Sequence, residues 1–226
     1  MAIKLIIFDL DGTLIDSSID ITNAINYAIE PYKIEPLTPS QTISLIGEGI
    51  TRLMEKIIEN KSIAGNMSSN IEAKQPIERD LLVNRFLTFY SEHLLDNTTI
   101  YPKVRETLQE LKTYKKAVIS NKRESLSVKL LKDLELIQYI DLVVGSDTTP
   151  ERKPSPLPIL HALSKLNIAN NEAVIVGDSI FDIEAGKRAN IKTIGVTYGY
   201  RPAKTLKNAD FLIDSMDELQ NVLLVI

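Results

Sequence analysis

Phe8-Asp9-Leu10-Asp11-Gly12-Thr13-Leu14-Ile15-Asp16-Ser17 is the stretch on which the reading of this chain turns. The run from Lys4 to Phe8 before it reads as a buried strand, so two carboxylates two residues apart stand just beyond a strand's C-terminal end. Open α/β sheets bind their ligands at that edge. Asp9 and the backbone carbonyl of Asp11 can be directed toward one cation, Gly12 permits a tight turn, and Thr13 adds a hydroxyl. An Asp-Gly pair also makes an ordinary polar turn with helix caps, so the stretch decides nothing until the rest of the chain is read with it.

Further short apolar runs bounded by turn residues read as buried parallel strands: Ala117 to Ser120, Leu142 to Val144, Ala173 to Val176, Thr193 to Val196 and Phe211 to Ile213. Between them the spacing predicts helices. Val104, Leu108 and Leu111 share one face, Leu126, Leu130, Leu131 and Leu134 another, and Ile159, Leu160, Leu163 and Leu166 a third. This alternation predicts an α/β fold with a Rossmann-like, doubly wound parallel sheet.

The first strand ends near residue 8 and the next begins near Ala117, whereas a parallel crossover needs only about a dozen residues or somewhat more. An inserted domain therefore lies between them. Ile21, Ile25, Ala28 and Ile29 have helical spacing, entered from cap candidates at residues 16–18 and stopped by Pro31. Ile50, Leu53, Met54, Ile57 and Ile58 form a second face; Leu81, Leu82, Phe86, Phe89 and Tyr90 form another, with Pro76 placed to start it. The expected division is a core of residues 1–15 and 97–226 and a helical domain of residues 16–96. Residues 61–75 are polar, lack periodicity and read as a mobile loop.

With 226 residues, 44% of them apolar and 25% charged, the chain has the composition of a folded globular protein. Twenty-six basic residues against 30 acidic ones give a net charge of −4, and the basic residues are scattered, so nucleic acid is not an expected partner. With no cysteine, a metal must be held by oxygen or by His93 and His161, which favours hard cations such as magnesium. His93 and His161 stand in helical stretches far from every motif and receive no role. No run is long enough for a signal peptide or a membrane span, so the expected location is the cytoplasm, without a membrane partner.

A second acidic pair, Gly177-Asp178-Ser179-Ile180-Phe181-Asp182, again follows a buried strand at the mouth of a helix. Helix capping alone explains such acids as well. Two acidic strand ends in one cleft are another matter, because clustered carboxylates repel unless a divalent cation joins them. Ile119-Ser120-Asn121-Lys122 ends another strand with a hydroxyl, an amide and backbone N–H groups that can hold phosphate oxygens, although a Ser-Asn turn is common. In Arg152-Lys153-Pro154-Ser155-Pro156 the prolines restrict the backbone around Lys153. Held at the edge that carries the acids, that lysine can balance phosphoryl charge and keep a nucleophile ionised.

These four elements, in this order and over essentially the whole chain, resemble the four motifs of the haloacid dehalogenase superfamily, and the helical insertion is similar to that superfamily's first class of cap domain. The resemblance implies a phosphatase in which Asp9 is the nucleophile and Asp11 the general acid and base. It places Mg2+ on Asp9, the Asp11 carbonyl and Asp178, with Asp182 a further ligand or a group behind the ligands. Ser120, Asn121 and Lys153 would bind phosphate. The acid at residue 11 disfavours dehalogenation, because the dehalogenases lack one there.

Gly47, Glu48, Gly49 and Arg52 in the insertion, and Val196-Thr197-Tyr198-Gly199-Tyr200-Arg201 in the core, resemble phosphoglycolate phosphatases. The expected substrate is thus a small phosphorylated metabolite, with phosphoglycolate leading and Gly47, Glu48, Gly49 and Arg52 as candidates for specificity. A helix stop followed by a turn accounts for the two glycines equally well, and Tyr198 and Tyr200 are expected to pack rather than react. A sugar phosphomutase, nucleotidase or pyrophosphatase on the same core, and a noncatalytic regulator, are the alternatives; a regulator would be expected to have lost Asp9, Asp11 or Lys153. A monomer or homodimer is expected.

Overall fold

The computed structural model describes residues 2–59 and 77–226. The expected loop over residues 61–75 and the helix start at Pro76 lie outside the described residues. Two compact units emerge, Met1–Asp16 with Thr99–Ile226, and Ser17–Thr98.

In chain order the elements are β1 (Leu5–Phe8), β2 (Ile15–Asp16), α1 (Ser18–Ile29), α2 (Pro39–Leu45), α3 (Gly49–Glu59), α4 (Arg79–Glu92), β3 (Thr99–Ile100), α5 (Val104–Glu110), β4 (Lys115–Ile119), α6 (Glu124–Asp133), β5 (Leu142–Val144), α7 (Leu157–Leu166), β6 (Ala173–Gly177), α8 (Ile180–Arg188), β7 (Lys192–Val196), β8 (Phe211–Ile213) and α9 (Leu219–Leu223).

In the first unit six strands form one sheet in the order β5-β4-β1-β6-β7-β8, every neighbouring pair parallel. β1 lies inside it, in register with β4 (Phe8 opposite Val118) and with β6 (Phe8 opposite Val176). This position explains its continuous apolar sequence. Both faces are covered, all four residues are fully buried, and no polar side chain could alternate with them. Leu5 and Ile7 share one face with Ala117, Ile119 and Ile175, and that face packs on Ile159, Ala162 and Leu163 of α7 and Ala185 of α8. Each large aliphatic side chain buried there contributes about 1.5–3 kcal/mol. Because the strands are parallel, the C-terminal ends of β4, β1 and β6 open side by side at one edge. The expected strand positions hold, with ends differing by one or two residues. A short antiparallel ribbon, Ile15 opposite Ile100 and Asp16 opposite Thr99, belongs to the same unit and was not expected.

The second unit is helical. α1 and α3 pack on α4, burying Ile25, Ala28, Ile29, Met54, Leu82, Phe86 and Tyr90. Tyr27 stacks on Phe89 at 4.5 Å between ring centroids, under the guanidinium of Arg85. Asp20, 1% exposed, holds the two ends of the unit together. Its Oδ2 accepts from the backbone N–H of Asn97 (3.0 Å) and of Thr98 (2.8 Å) and from the Thr98 hydroxyl, while Oδ1 accepts from the Asn97 amide. α2 was not expected, although Thr38-Pro39-Ser40-Gln41 carries its start signal: the Thr38 hydroxyl accepts from the Gln41 N–H and the Gln41 side chain from the Thr38 N–H. Gly47 (φ 123°) and Gly49 (φ 77°) stand between α2 and the body of α3 in backbone conformations that favour glycine, the stop and turn weighed from the sequence.

Candidate active site

Asp9 leaves the end of β1 with its N–H bonded to the Val176 carbonyl of β6 (2.9 Å), which points its carboxylate off the sheet edge. Lys153 reaches it from the loop after β5. The lysine is 2% exposed, and its three N–H groups go to Asp9 Oδ1 (2.7 Å), Asp182 Oδ1 (2.6 Å) and the Ile119 carbonyl (2.6 Å). One ammonium therefore ties β4, β1 and the first turn of α8 to one point. Asp182 is fully buried, and its second oxygen accepts the hydroxyl (2.5 Å) and N–H (3.1 Å) of Ser179, the cap residue of α8. Both Asp182 oxygens are thus engaged, a placement that suits a group behind the ligands better than a direct ligand.

Asp178 begins the turn after β6. Its Oδ2 accepts the backbone N–H of Tyr200 (2.7 Å), and the backbone packs against it without slack. A Cβ added to Gly12 (φ +90°) would stand 2.4 Å from Asp178 Oδ2; one added to Gly199 would stand 2.3 Å from Asp178 Cβ and 2.3 Å from the Gly12 carbonyl oxygen. Only residues without side chains fit there. The Tyr198 hydroxyl donates to the Thr13 carbonyl (2.9 Å), so the segment after β7 is strapped onto the turn after β1. The Thr13 hydroxyl is buried with no hydrogen-bond partner among the described residues.

Asp9, Asp178 and Asp182 each offer a carboxylate oxygen within 4.8 Å of the others. Three buried carboxylates face one buried ammonium, and the electrostatics register the imbalance. Burial, then the charge of Asp182, push the Asp9 carboxyl up to about 7 against the opposing pull of Lys153. Burial, then Asp9 and Asp182, hold Asp178 well above the usual carboxylate range. Burial works to lower the Lys153 ammonium, but Asp182 and Asp9 outweigh it and hold it above its ordinary value. A site whose acids resist ionisation until more positive charge arrives fits a divalent cation, and its donors are the hard oxygens that magnesium prefers.

Ser120 and Asn121 follow β4 at the same edge, 4% and 9% exposed. Ser120 Oγ accepts the Lys122 N–H (3.1 Å), and the Asn121 amide donates to the Lys153 carbonyl (2.9 Å), so one use of Asn121 is to fix the loop that delivers the lysine. Lys122, quoted in the sequence but given no role, donates from Nζ to Asp11 Oδ1 at 2.7 Å, with side-chain exposures of 8% and 11%. The signal for it was a lysine at the strand edge that also carries the acids. The Tyr200 N–H bond to Asp178 left no such signal, because a backbone donor is the same in every residue. Among the specificity candidates, Glu48 pairs with Lys56, and Arg52 pairs with Glu55 and Glu59 at 3.2 Å each, all within the helical unit.

A doubly wound parallel sheet with acids, a lysine and a Ser-Asn turn on neighbouring strand ends is the arrangement of a haloacid dehalogenase-like hydrolase. That family's model matches residues 6–196, and the chain belongs to the family. It is 41% identical to a phosphoglycolate phosphatase of Chromobacterium violaceum over 98% of this chain and 96% of the relative. With a phosphoglycolate phosphatase of Aquifex aeolicus the identity is 39%, over 95% and 97%. A crystal structure described as a predicted phosphoglycolate phosphatase from Haemophilus somnus superposes with a TM-score of 0.87 at 27% identity, covering 97% of each chain. The protein is accordingly an enzyme of the phosphatase class. No helix among the described residues is long and apolar enough to cross a membrane.

Proposed function

We propose that this chain is a magnesium-dependent phosphatase that hydrolyses a small phosphorylated metabolite through an aspartyl phosphate on Asp9, with phosphoglycolate the leading substrate. One observation carries the reading: a carboxylate at the end of an inner strand, held by a buried lysine and flanked by two further buried acids. The relatives named above, matched along nearly their whole length, are phosphoglycolate phosphatases, which supports phosphoglycolate as the substrate.

Asp9 attacks phosphorus in line with the leaving oxygen, forming an acyl phosphate as the ester P–O bond breaks. Lys153 holds Asp9 Oδ1 and favours its ionised form, opposing the burial and neighbouring charges that push the carboxyl up to about 7. Asp11 gives its proton to the departing alkoxide. It then takes a proton from the water that attacks the acyl phosphate, which releases inorganic phosphate and restores Asp9. Ser120 and Asn121 hold the phosphoryl oxygens. Asp9, the Asp11 carbonyl and Asp178 would hold Mg2+, with Asp182 behind them; bound there, the ion supplies the positive charge that offsets the phosphate and the converging acids. The helical unit would serve as the cap, and Gly47, Glu48, Gly49 and Arg52 remain its candidates for substrate selection.

The test separates two identical side chains. Asp9→Asn should abolish turnover and never yield a phosphoenzyme. Asp11→Asn should lose roughly 10²- to 10⁴-fold in kcat, and with p-nitrophenyl phosphate, whose leaving group needs less protonation, should accumulate acid-quenched phosphoenzyme labelled from that substrate. Near-normal turnover by purified Asp9→Asn would end the covalent reading.

A further inference from the structure

Tyr198-Gly199-Tyr200, just after β7, touches two places that the chain order keeps apart: the acids at the sheet edge and the β2–β3 ribbon from which the helical segment departs. Gly199 backs onto Asp178 and the Gly12 carbonyl, where a Cβ would stand 2.3 Å from either. The tyrosines on both sides of it turn to the ribbon. Tyr200 donates from its hydroxyl to Asp16 Oδ1 of β2 (3.2 Å), and the Tyr198 ring lies 5.0 Å, centroid to centroid, from that of Tyr101, the residue after β3. The Tyr101 N–H in turn donates to the Leu14 carbonyl (3.1 Å), on the stretch that enters β2.

Tyr200 joins the two places through its own atoms. Its N–H donates to Asp178 Oδ2 at 2.7 Å while its hydroxyl holds Asp16. Only two side-chain torsions and a rigid ring lie between those donors, so fixing one narrows the positions open to the other. Asp16 is itself anchored, its backbone paired with Thr99 in the antiparallel ribbon. Fastened there, the ring resists the retreat of residue 200 from Asp178. Packing against the turn asks only for an aromatic ring; the bond to Asp16 is what asks for an oxygen on it. Asp178 is 2% exposed, and a ligating carboxylate depends on the bonds that aim it.

We propose that Tyr200 is a positioning residue: its hydroxyl, held by Asp16, sets the N–H that aims Asp178, so that the affinity of the site for its cation depends on the ribbon at the root of the helical segment. This rests on the magnesium-dependent reading above and adds how that site is kept in register. Linkage makes the coupling reciprocal, cation binding strengthening the Tyr200–Asp16 bond by the factor that the bond lends to the cation.

The experiment is calorimetric titration of the EDTA-stripped full chain with Mg2+ and with Mn2+. Tyr200→Phe keeps the ring and the N–H and removes only the hydroxyl. Its affinity should fall roughly 3- to 10-fold, less than the 10- to 100-fold usual for a group bonded to the ligand itself. Asp16→Ala should cost the same, and the double variant no more than either alone, because both changes break one bond. Asp16→Asn keeps an acceptor oxygen and should restore most of the affinity. A melt in EDTA separates aiming from bulk stability. A hydroxyl that only braces the fold would lower Tm and leave the affinity at the wild-type value, which overturns the proposal, as do losses that add in the double variant. A wild type that binds neither cation would instead defeat the magnesium-dependent reading, and the proposal falls with it.

Discussion

Gly199→Ala tests how far the metal ligands depend on close backbone packing. The added methyl carbon would stand 2.3 Å from both the Gly12 carbonyl oxygen and Asp178 Cβ, whereas non-bonded carbon contacts settle near about 3.5 Å. The strap must therefore retreat by about 1 Å. That stretches the 2.7 Å bond from the Tyr200 N–H to Asp178 Oδ2 to about 3.7 Å, beyond hydrogen-bonding range. A hydrogen bond to a charged group contributes about 1.5–3 kcal/mol, which at about 1.4 kcal/mol per decade is roughly a 10- to 100-fold loss of affinity for the cation. That is also the usual cost of removing a group that orients a ligand. Calorimetric titration with Mg2+ or Mn2+ reads the loss directly, and a melt in EDTA reports whether the metal-free fold has suffered. Gly195→Ala serves as the packing control. Its methyl meets Leu212 Cδ2 at 2.8 Å and Leu206 at 3.2 Å, so it should lower Tm with cation affinity intact. Wild-type affinity in Gly199→Ala would refute the reasoning, and equal affinity losses in the two variants would show that general loosening, not the Tyr200 bond, governs the site.

Other outcomes follow from the same geometry. EDTA should abolish turnover and Mg2+ restore it, because a phosphate dianion would otherwise meet Asp9, Asp178 and Asp182; full activity in metal-stripped protein contradicts this. Thr13→Val removes a buried hydroxyl without a partner among the described residues, so a denaturant melt in EDTA should show stability unchanged or raised by about 1 kcal/mol. A loss of that size would reveal an acceptor for the hydroxyl. At Asp210, burial raises the carboxyl pKa, but the Thr193 hydroxyl and N–H, with Lys187 and Lys192, outweigh it and leave the pKa below its ordinary value. A depressed carboxylate stabilises the fold above its unfolded pKa of about 3.9 and loses that contribution as pH falls through its folded value. Asp210→Asn should therefore lower Tm at pH 7, and the gap to wild type should close below about pH 4; a gap independent of pH would assign the effect to hydrogen-bond geometry instead of charge.

The sequence made the parallel sheet legible because β1, β6 and the Ala117–Ile119 part of β4 are buried on both faces and so appear as unbroken apolar runs ending in polar turns. Asp9, Asp11 and Asp178 were legible for the same reason, standing just past such runs, whereas Lys153, well beyond the end of β5, was marked by the prolines that follow it. Other features left no trace, for identifiable causes. β2 and β3 are two residues long, too short for any periodicity. The engagement of both Asp182 oxygens depends on Lys153, 29 residues away, and on the Ser179 cap. Lys122 carries a composition signal, but its bond to Asp11 spans 111 residues and emerges only when β1 and β4 lie side by side. α2 could have been found, since Thr38 and Gln41 carry the spacing of a capping box.

The points at which the chain departs for the helical segment and comes back are fastened to each other. Asp16 pairs with Thr99 in the β2–β3 ribbon, and a few residues further on Asp20 grips Asn97 and Thr98. A segment with its ends already joined is a cassette: its length and content can change while the entropy of closing the loop is met by the same few bonds. Recombination at residues 16 and 99 could exchange the whole insertion, or reduce it to a hairpin turn, without moving a strand of the six-stranded sheet. A lineage built this way is free to diversify in the smaller part of its chain while the larger part, which bears the acids, stays still.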